Sequence, residues 1–304
     1  MDIKDCDILM WHHNHSDPKD IVFAKQLLFA LEHSGIKVFP DFKTAWHFDD
    51  KVGQKYLMEA LHLPMVPSHV FYSKKEALNW IAQTDFPKVF KLRGGAGSAN
   101  VQLVKDRKEA KALVGRAFGK GFSQYEPWSN IKERIRKFKE GKGSLKDIGK
   151  GIIRFIYPPL YARVRGKERG YVYFQDFIPG NDHDIRVIVI DKKAFAIKRM
   201  TRENDFRASG SGKILFEKEL FDEKIIRLSF EVAERLDSQC LALDFVFHES
   251  KALIVEISFG FTKEPYYACP GYWDENLTWH EGAFDAQGWM VEAFLKEHAS
   301  KKPK

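Results

Sequence analysis

The chain has 304 residues, 44% of them apolar, 14% aromatic and 30% charged, which is enough to bury one large core or two ordinary ones and excludes a disordered tail. Three cysteines, Cys6, Cys240 and Cys269, leave an odd thiol and no ligand-like spacing, which argues against a disulfide scaffold and for a reducing compartment. The formal charge of +7 is local: residues 116–170 hold fifteen Lys/Arg against five Asp/Glu, so the rest of the chain is net acidic. A nucleic-acid coat would spread further, whereas a basic segment suits a phosphate-rich ligand, an acidic substrate or an anionic surface.

The first residues are acidic and run into a short apolar segment, so neither a cationic signal peptide nor an apolar span of about 18 residues is expected, and a cytoplasmic location is. A small α/β unit opens the chain. A strand at 7–11 precedes a helix with Asp17 as N-cap, Pro18 at its first position and Gly35 as its stop, with Ile21, Ala24, Leu28 and Leu31 on one face. A strand near 37–39 ends at Pro40. From Asp49 a helix places Val52, Tyr56 and Ala60 at one spacing; a strand at 69–72, a helix at 74–83 and a strand at 88–92 follow.

That last strand enters Arg93-Gly94-Gly95-Ala96-Gly97-Ser98-Ala99-Asn100 and returns at 101–104. A glycine-rich turn between two antiparallel strands is neither a dinucleotide fingerprint nor a P-loop, both of which open a helix. In the basic segment a short helix is expected with Asn130 and Glu133 as a capping box and Gly141 as its end, and the remainder reads as loop because of its glycines and Pro158-Pro159. Strands at 171–177, 184–190 and 194–199 precede a helix at 222–236 and a hairpin of 241–247 with 252–258.

The hairpin register decides the chemistry. With a three-residue loop at 249–251, Asp244 stands opposite Glu256, and two carboxylates facing each other call for a cation or strong solvation. Hard oxygen ligands of this kind suit Mg²⁺ shared with nucleotide phosphates. With a two-residue loop, Asp244 pairs with Val255 and the carboxylates part; pattern alone leaves both registers open. The glycine run has its own plain explanation as a hairpin tip. Lys91, two residues before the turn, can aim an ammonium at phosphates that the turn's N–H groups would cover.

These residues resemble the ATP-grasp superfamily. Val89-Phe90-Lys91-Leu92-Arg93-Gly94-Gly95-Ala96-Gly97-Ser98, Gln175-Asp176-Phe177-Ile178, Asp184-Ile185-Arg186, and Asp244 with Glu256 occur in that family's order across most of 49–262. The resemblance implies an α+β ATP-grasp fold, two α+β subdomains clasping ATP, here with a shortened N-terminal α/β domain and an inserted basic lid. It divides the chain at 1–48, 49–115, 116–170, 171–262 and an aromatic segment at 263–304. It implies ATP and Mg²⁺ as cofactors. Lys51 and Lys91 would be phosphate lysines, Gly94, Gly95, Gly97 and Ser98 the covering loop, and Gln175, Asp176, Phe177 and Ile178 the adenine hinge. Asp184 would bind ribose, Arg186, Arg199 and Arg207 would neutralise phosphate charge, and Asp244, Glu256 and Ser258 would stand at the metal positions. Asp176 replaces the family's usual Glu, and Ser258 stands where the metal-binding Asn is expected, which implies fewer protein ligands for a second metal or a rearranged coordination. The plain competitors are a solvent-facing Lys51 and arginines in surface ion pairs.

The tail holds Trp273, Trp279, His280 and Glu281, which either pack a core edge or wall an acceptor pocket. Tail and insert resemble ATP-grasp proteins of bacterial surface-polysaccharide biosynthesis. Nothing in the sequence lowers the pKa of Cys269, so it is not read as a nucleophile. The expected function is an ATP-dependent carboxylate–amine ligase working through an acyl phosphate on a small or sugar-linked carboxylate and an amine. A small-molecule kinase and a non-catalytic nucleotide- or polyanion-binding module are the alternatives.

Overall fold

The computed structural model describes residues 3, 6–95, 100–125, 127–139, 141, 143–202, 205–208 and 212–301. The chain divides into two compact units, one of Met1–Asn14, Phe23–Ser68 and Asp176–Lys304, the other of His15–Val22 and His69–Gln175.

The first unit is built on a seven-stranded antiparallel sheet. Its order is Lys251–Ser258, Cys240–His248, His183–Ile190, Lys193–Met200, Gly271–Asp274 and Trp279–Glu281, with Ile214–Leu215 also beside Lys193–Met200. The central strands are apolar at successive positions because both faces are covered. Ile185, Val187, Val189, Leu241, Leu243 and Phe245 point one way, onto Ile225, Val232 and Leu236 of the helix Glu223–Leu236. Ile188, Ile190, Phe195, Ile197 and Ala242 point the other way, toward Ala286, Met290 and Phe294 of the helix Ala286–Lys301. Each such large side chain contributes roughly 1.5–3 kcal/mol by leaving water. The short N-terminal elements follow the expected pattern: Ile8–Met10 pairs in parallel with Lys37–Phe39, and the helix Pro18–His33 buries Ala24, Leu28 and Leu31.

The aromatic tail belongs to this core. Trp273 is 2% exposed, between Phe221 and Trp279, and His280 stacks on Tyr272 while its Nε2 lies 2.9 Å from Asp274. The core-edge reading holds for Trp273, whereas His280 and Glu281 are exposed, and the partner of His280 is Asp274 rather than Glu281.

The second unit is built on a four-stranded sheet in the order Ser68–Phe71, Val172–Asp176, Lys88–Lys91 and Val101–Val104, covered by the helices Lys74–Gln83 and Arg107–Ala117 through Ala77, Ile81, Ala110 and Val114. Ser73 and Asp106 cap these helices by accepting from the N–H groups three residues on. The basic segment leaves through a two-stranded neck, Phe122–Ser123 antiparallel to Lys167–Glu168.

Two expectations for this segment are corrected. Its helix begins at Pro127, so Asn130 lies inside it, where its Oδ1 accepts from Arg134 Nε at 2.6 Å instead of capping. The remainder is helical over Leu145–Ile153 and Leu160–Arg165, and the capping box is Ser144 with Asp147. Gly149 and Gly151 suggest a loop, but Gly151 sits at a close helix contact: a Cβ there would meet Arg134 Cδ and Ile131 Cγ1 at 3.0–3.1 Å, so any larger residue would make those side chains give way.

Candidate functional site

Asp244 stands directly opposite Glu256, by a route that differs from the expected one. The hairpin turns through two residues, Glu249 and Ser250, both left-handed at φ +47° and +65°, so His248 faces Lys251. Continued regularly, that pairing would set Asp244 against Val255. A β-bulge intervenes, with Phe245 opposite Ile254 and Asp244 opposite Glu256, so the extra residue Val255 restores the carboxylates to a shared face.

Strand alternation extends this pair into a row. Asp184 is opposite Arg199, and Arg186 is opposite Asp244, on neighbouring strands. The row occupies the same face as Ile188, Ile190 and Ile197, so a sheet face that is apolar at one end becomes charged at the other. Arg186 grips Asp244 through two bonds, Nε to Oδ1 at 2.5 Å and Nη2 to Oδ2 at 2.7 Å. Arg199 grips Asp184 likewise at 2.6 Å twice, and its Nη2 also lies 3.0 Å from Asp244 Oδ2. Burial alone would raise the pKa of Asp244, but the fields of Arg186 and Arg199 outweigh it and hold the carboxylate ionised far below the ordinary range. Asp184 moves the other way, because burial and the charge of Asp244 outweigh Arg199.

Lys51 reaches the row from the helix Lys51–Ala60, which Asp50 caps by accepting from Gly53 N at 2.9 Å. Lys51 is 4% exposed, and its Nζ lies 3.0 Å from Glu256 Oε1. It is therefore not a solvent-facing residue. The helix is fixed against the hairpin by Gln54, whose side chain donates to Ile257 O at 2.8 Å and accepts from Ile257 N at 3.2 Å, as a neighbouring strand would. Val66 N donates to Ile254 O and Ile254 N to Pro64 O, closing the rest of that edge.

In the second unit, Lys91 is buried and its Nζ donates to Gln175 Oε1 at 2.6 Å, so two of the expected nucleotide residues meet. The start of the glycine turn already holds an anion. Glu168 accepts from Arg93 N at 3.0 Å and Gly94 N at 3.2 Å, and also from Tyr171 Oη and Gln124 Nε2. Gly97 and Ser98 lie outside the described residues; Gly95 is described, at φ +115°. In the expected hinge, Asp176 N donates to Pro67 O at 2.9 Å, the Phe177 ring meets Phe206 edge-on, and Ile178 O accepts from Asn181.

The remaining assignments are placed as follows. Arg207 lies on the loop 205–208 with its guanidinium on Asp205, at 2.7–3.1 Å. Ser258 shares the face of Glu256, but its hydroxyl donates to Gly260 O and accepts from Gly260 N, each at 3.0 Å. Among the described residues no group of three or more His, Cys, Asp or Glu side chains gathers as a metal cage. Asp244 and Glu256 nevertheless supply the hard oxygens that Mg²⁺ takes when phosphates complete its shell, and a two-carboxylate set fits that mode. Burial pushes the Cys269 thiol up to about 12, which excludes it as a nucleophile at neutral pH. Two contributors escape sequence reading: Glu168, and Tyr266, 7% exposed, which hydrogen-bonds Arg186. The first lies in a basic stretch and the second in a Pro-Tyr-Tyr run that signals packing.

Residues 166–263 match a family model described as the RimK-like ATP-grasp domain. Comparison with curated proteins gave no match. Among solved structures, the D-alanine–D-alanine ligase of Bacillus anthracis is 14% identical with a TM-score of 0.52, covering 99% of this chain and 84% of that one. The ATP-grasp ligase PsnB with its minimal precursor is 13% identical with a TM-score of 0.52, covering 96% and 79%. The biotin carboxylase domain of the Hydrogenobacter thermophilus 2-oxoglutarate carboxylase, in complex with MgADP, is 13% identical with a TM-score of 0.55, covering 95% and 53%. At these identities the likeness is one of fold.

Proposed function

We propose that the chain, whose residues 166–263 match a RimK-like ATP-grasp domain, is an ATP-grasp protein and an ATP-dependent carboxylate–amine ligase that forms an amide through an acyl phosphate. The observation that carries this reading is the charged row of Asp184, Arg186, Arg199, Asp244 and Glu256 on one sheet face, with Lys51 against it. Three carboxylates and three cations balance one another, and a buried balanced network is costly compared with apolar packing. Its retention is explained by a charged ligand that exchanges partners with it.

In the reaction, a substrate carboxylate oxygen attacks the γ-phosphorus as the bond to ADP breaks. The amine nitrogen then attacks the acyl carbon, a C–N bond forms, the C–O bond to phosphate breaks, and the amine proton leaves with phosphate or solvent. The protein forms no covalent bond in this scheme. Its work is to hold the phosphoryl group in line and to stabilise spreading negative charge, which Arg186, Arg199 and Lys51 perform as fixed cations. Asp244 and Glu256 would hold Mg²⁺, which when bound supplies further neutralisation of phosphate charge. In the second unit, Lys91 and the loop amides of Arg93 and Gly94 are the phosphate donors that the family pattern implies, and Gln175 to Ile178 its hinge.

A carboxylate in place of phosphate at the loop amides supports the anion-binding assignment, because Glu168 displays there the charge and lone pairs the loop favours. The finer assignment, an acidic sugar in surface-polysaccharide biosynthesis, rests mainly on the basic insert, since Trp273 of the aromatic tail packs into the core. The test is product analysis with purified protein, ATP, Mg²⁺ and a panel of carboxylates, with hydroxylamine as the amine. A hydroxamate formed together with ADP and phosphate supports the ligase; a phosphoester with ADP assigns the kinase instead, and no ATP turnover with any acceptor rejects both.

A further inference from the structure

We propose that the basic insert is a docking element that lies on an anionic lipid surface, a role separate from the nucleotide chemistry. Of the nineteen large apolar side chains exposed among the described residues, eleven lie between Trp128 and Val164. Such clustering on a soluble face marks an interaction site rather than scatter. The helix Leu145–Ile153 shows how it is presented. Ile148 and Gly151 turn inward, and the close fit of Gly151 on Ile131 and Arg134 fixes that orientation. Leu145, Ile152 and Ile153 consequently face out at 69%, 59% and 61% exposure, and Ile156 and Tyr157 continue the surface at 76% and 70%.

Charge selects the occupant. Lys146 and Lys150 are exposed and follow the apolar stripe around the helix, and residues 116–170 carry ten more basic than acidic residues. The helix's acid, Asp147, is spent on the Ser144 cap. An apolar face flanked by lysines, with Trp128 and Tyr157 as amphipathic rings, is the pattern of a helix lying in the plane of an anionic bilayer. A folded partner would need an apolar surface ringed with acids to match; a lipid surface offers both properties without shape. Among the described residues no helix is long and apolar enough to cross a membrane, and in this reading the element lies on the surface.

The test is co-sedimentation of the full chain with vesicles of phosphatidylcholine alone or mixed with phosphatidylglycerol, at low and high salt. Binding is expected only to the anionic vesicles, weakening with salt as surface attraction is screened. Ile153→Ser with Ile156→Ser, and separately Lys146→Gln with Lys150→Gln, should each lower partitioning by about tenfold. Circular dichroism and thermal melting establish that the variants remain folded, since all four side chains are exposed. Absence of wild-type binding, equal binding to neutral vesicles, or binding unchanged by the isoleucine substitutions would each overturn the proposal. So would preferential capture of a soluble poly-glutamate probe over the vesicles.

Discussion

The carboxylate of Asp244 accepts from two guanidinium groups, and removing one member of such a buried set leaves uncompensated charge, at a cost of about 3–5 kcal/mol. Asp244→Ala is therefore expected to lose roughly that much stability, read from urea midpoints. Glu256 differs because its side chain is 30% exposed and because glutamine keeps an oxygen to which the buried Lys51 can donate. Glu256→Gln should cost less than about 1 kcal/mol and abolish metal-dependent turnover. Similar destabilisation by the two substitutions would contradict this difference in how deeply the two carboxylates are held. Lys91→Ala should weaken nucleotide binding, measured by titration, and leave Gln175 without its buried donor. At this scale the sequence was informative for charged residues at two-residue spacing, since Asp184 and Arg186 had to share a face in any strand. It was silent on Tyr266 and Glu168, whose roles depend on contacts made by distant segments.

Elements carry the register. Glu249 and Ser250 both occupy left-handed backbone, which costs L-residues with a Cβ about 1 kcal/mol each. Glu249→Asn with Ser250→Gly should raise stability by about 1 kcal/mol, with turnover unchanged; destabilisation would argue against the two-residue turn. The sequence left two registers open, with Asp244 opposite Glu256 only if the loop had three residues, and the structure reaches that pairing through a two-residue turn and a bulge at Val255. Loop length was not legible because neither residue of the turn is glycine, and a bulge leaves no fixed compositional mark. The helix Leu145–Ile153 was hidden for the opposite reason: its two glycines read as loop, while the Ser144–Asp147 box that starts it was present in the sequence. Glu168 ties the insert's neck strand to the glycine turn. Glu168→Ala should speed hydrogen exchange at the Arg93 and Gly94 amides, read by mass spectrometry, and unchanged protection would show that the carboxylate does not hold the turn.

The molecule as a whole should be acid-sensitive through two histidines. His13 packs against Phe48 and Phe259, and His47 is fully buried beside Trp46; burial, then the nearby Lys25 charge, lowers each pKa to about 4. Above pH 6.5 both states are neutral and stability is complete. As pH falls toward 4 the unfolded chain binds protons that the folded one refuses, so stability drops across that window, by up to about 2.7 kcal/mol per pH unit if both titrate together. His13→Gln with His47→Gln should flatten the slope of urea midpoint against pH; an unchanged slope would place the acid sensitivity elsewhere. The alternation of the large sheet, its covering helix Glu223–Leu236 and the short N-terminal unit were all legible as periodicity. The helix Ala286–Lys301 was not anticipated, although Ala286, Met290 and Phe294 stand four apart and form its buried face. The central claim is that the acidic pair of the hairpin holds magnesium with a triphosphate. Calorimetric titration of a non-hydrolysable ATP analogue, with and without Mg²⁺, into wild type and Glu256→Gln tests it most directly: Mg²⁺ should tighten binding to the wild type by at least about tenfold and leave the variant unaffected, whereas the same magnesium dependence in both proteins would contradict it.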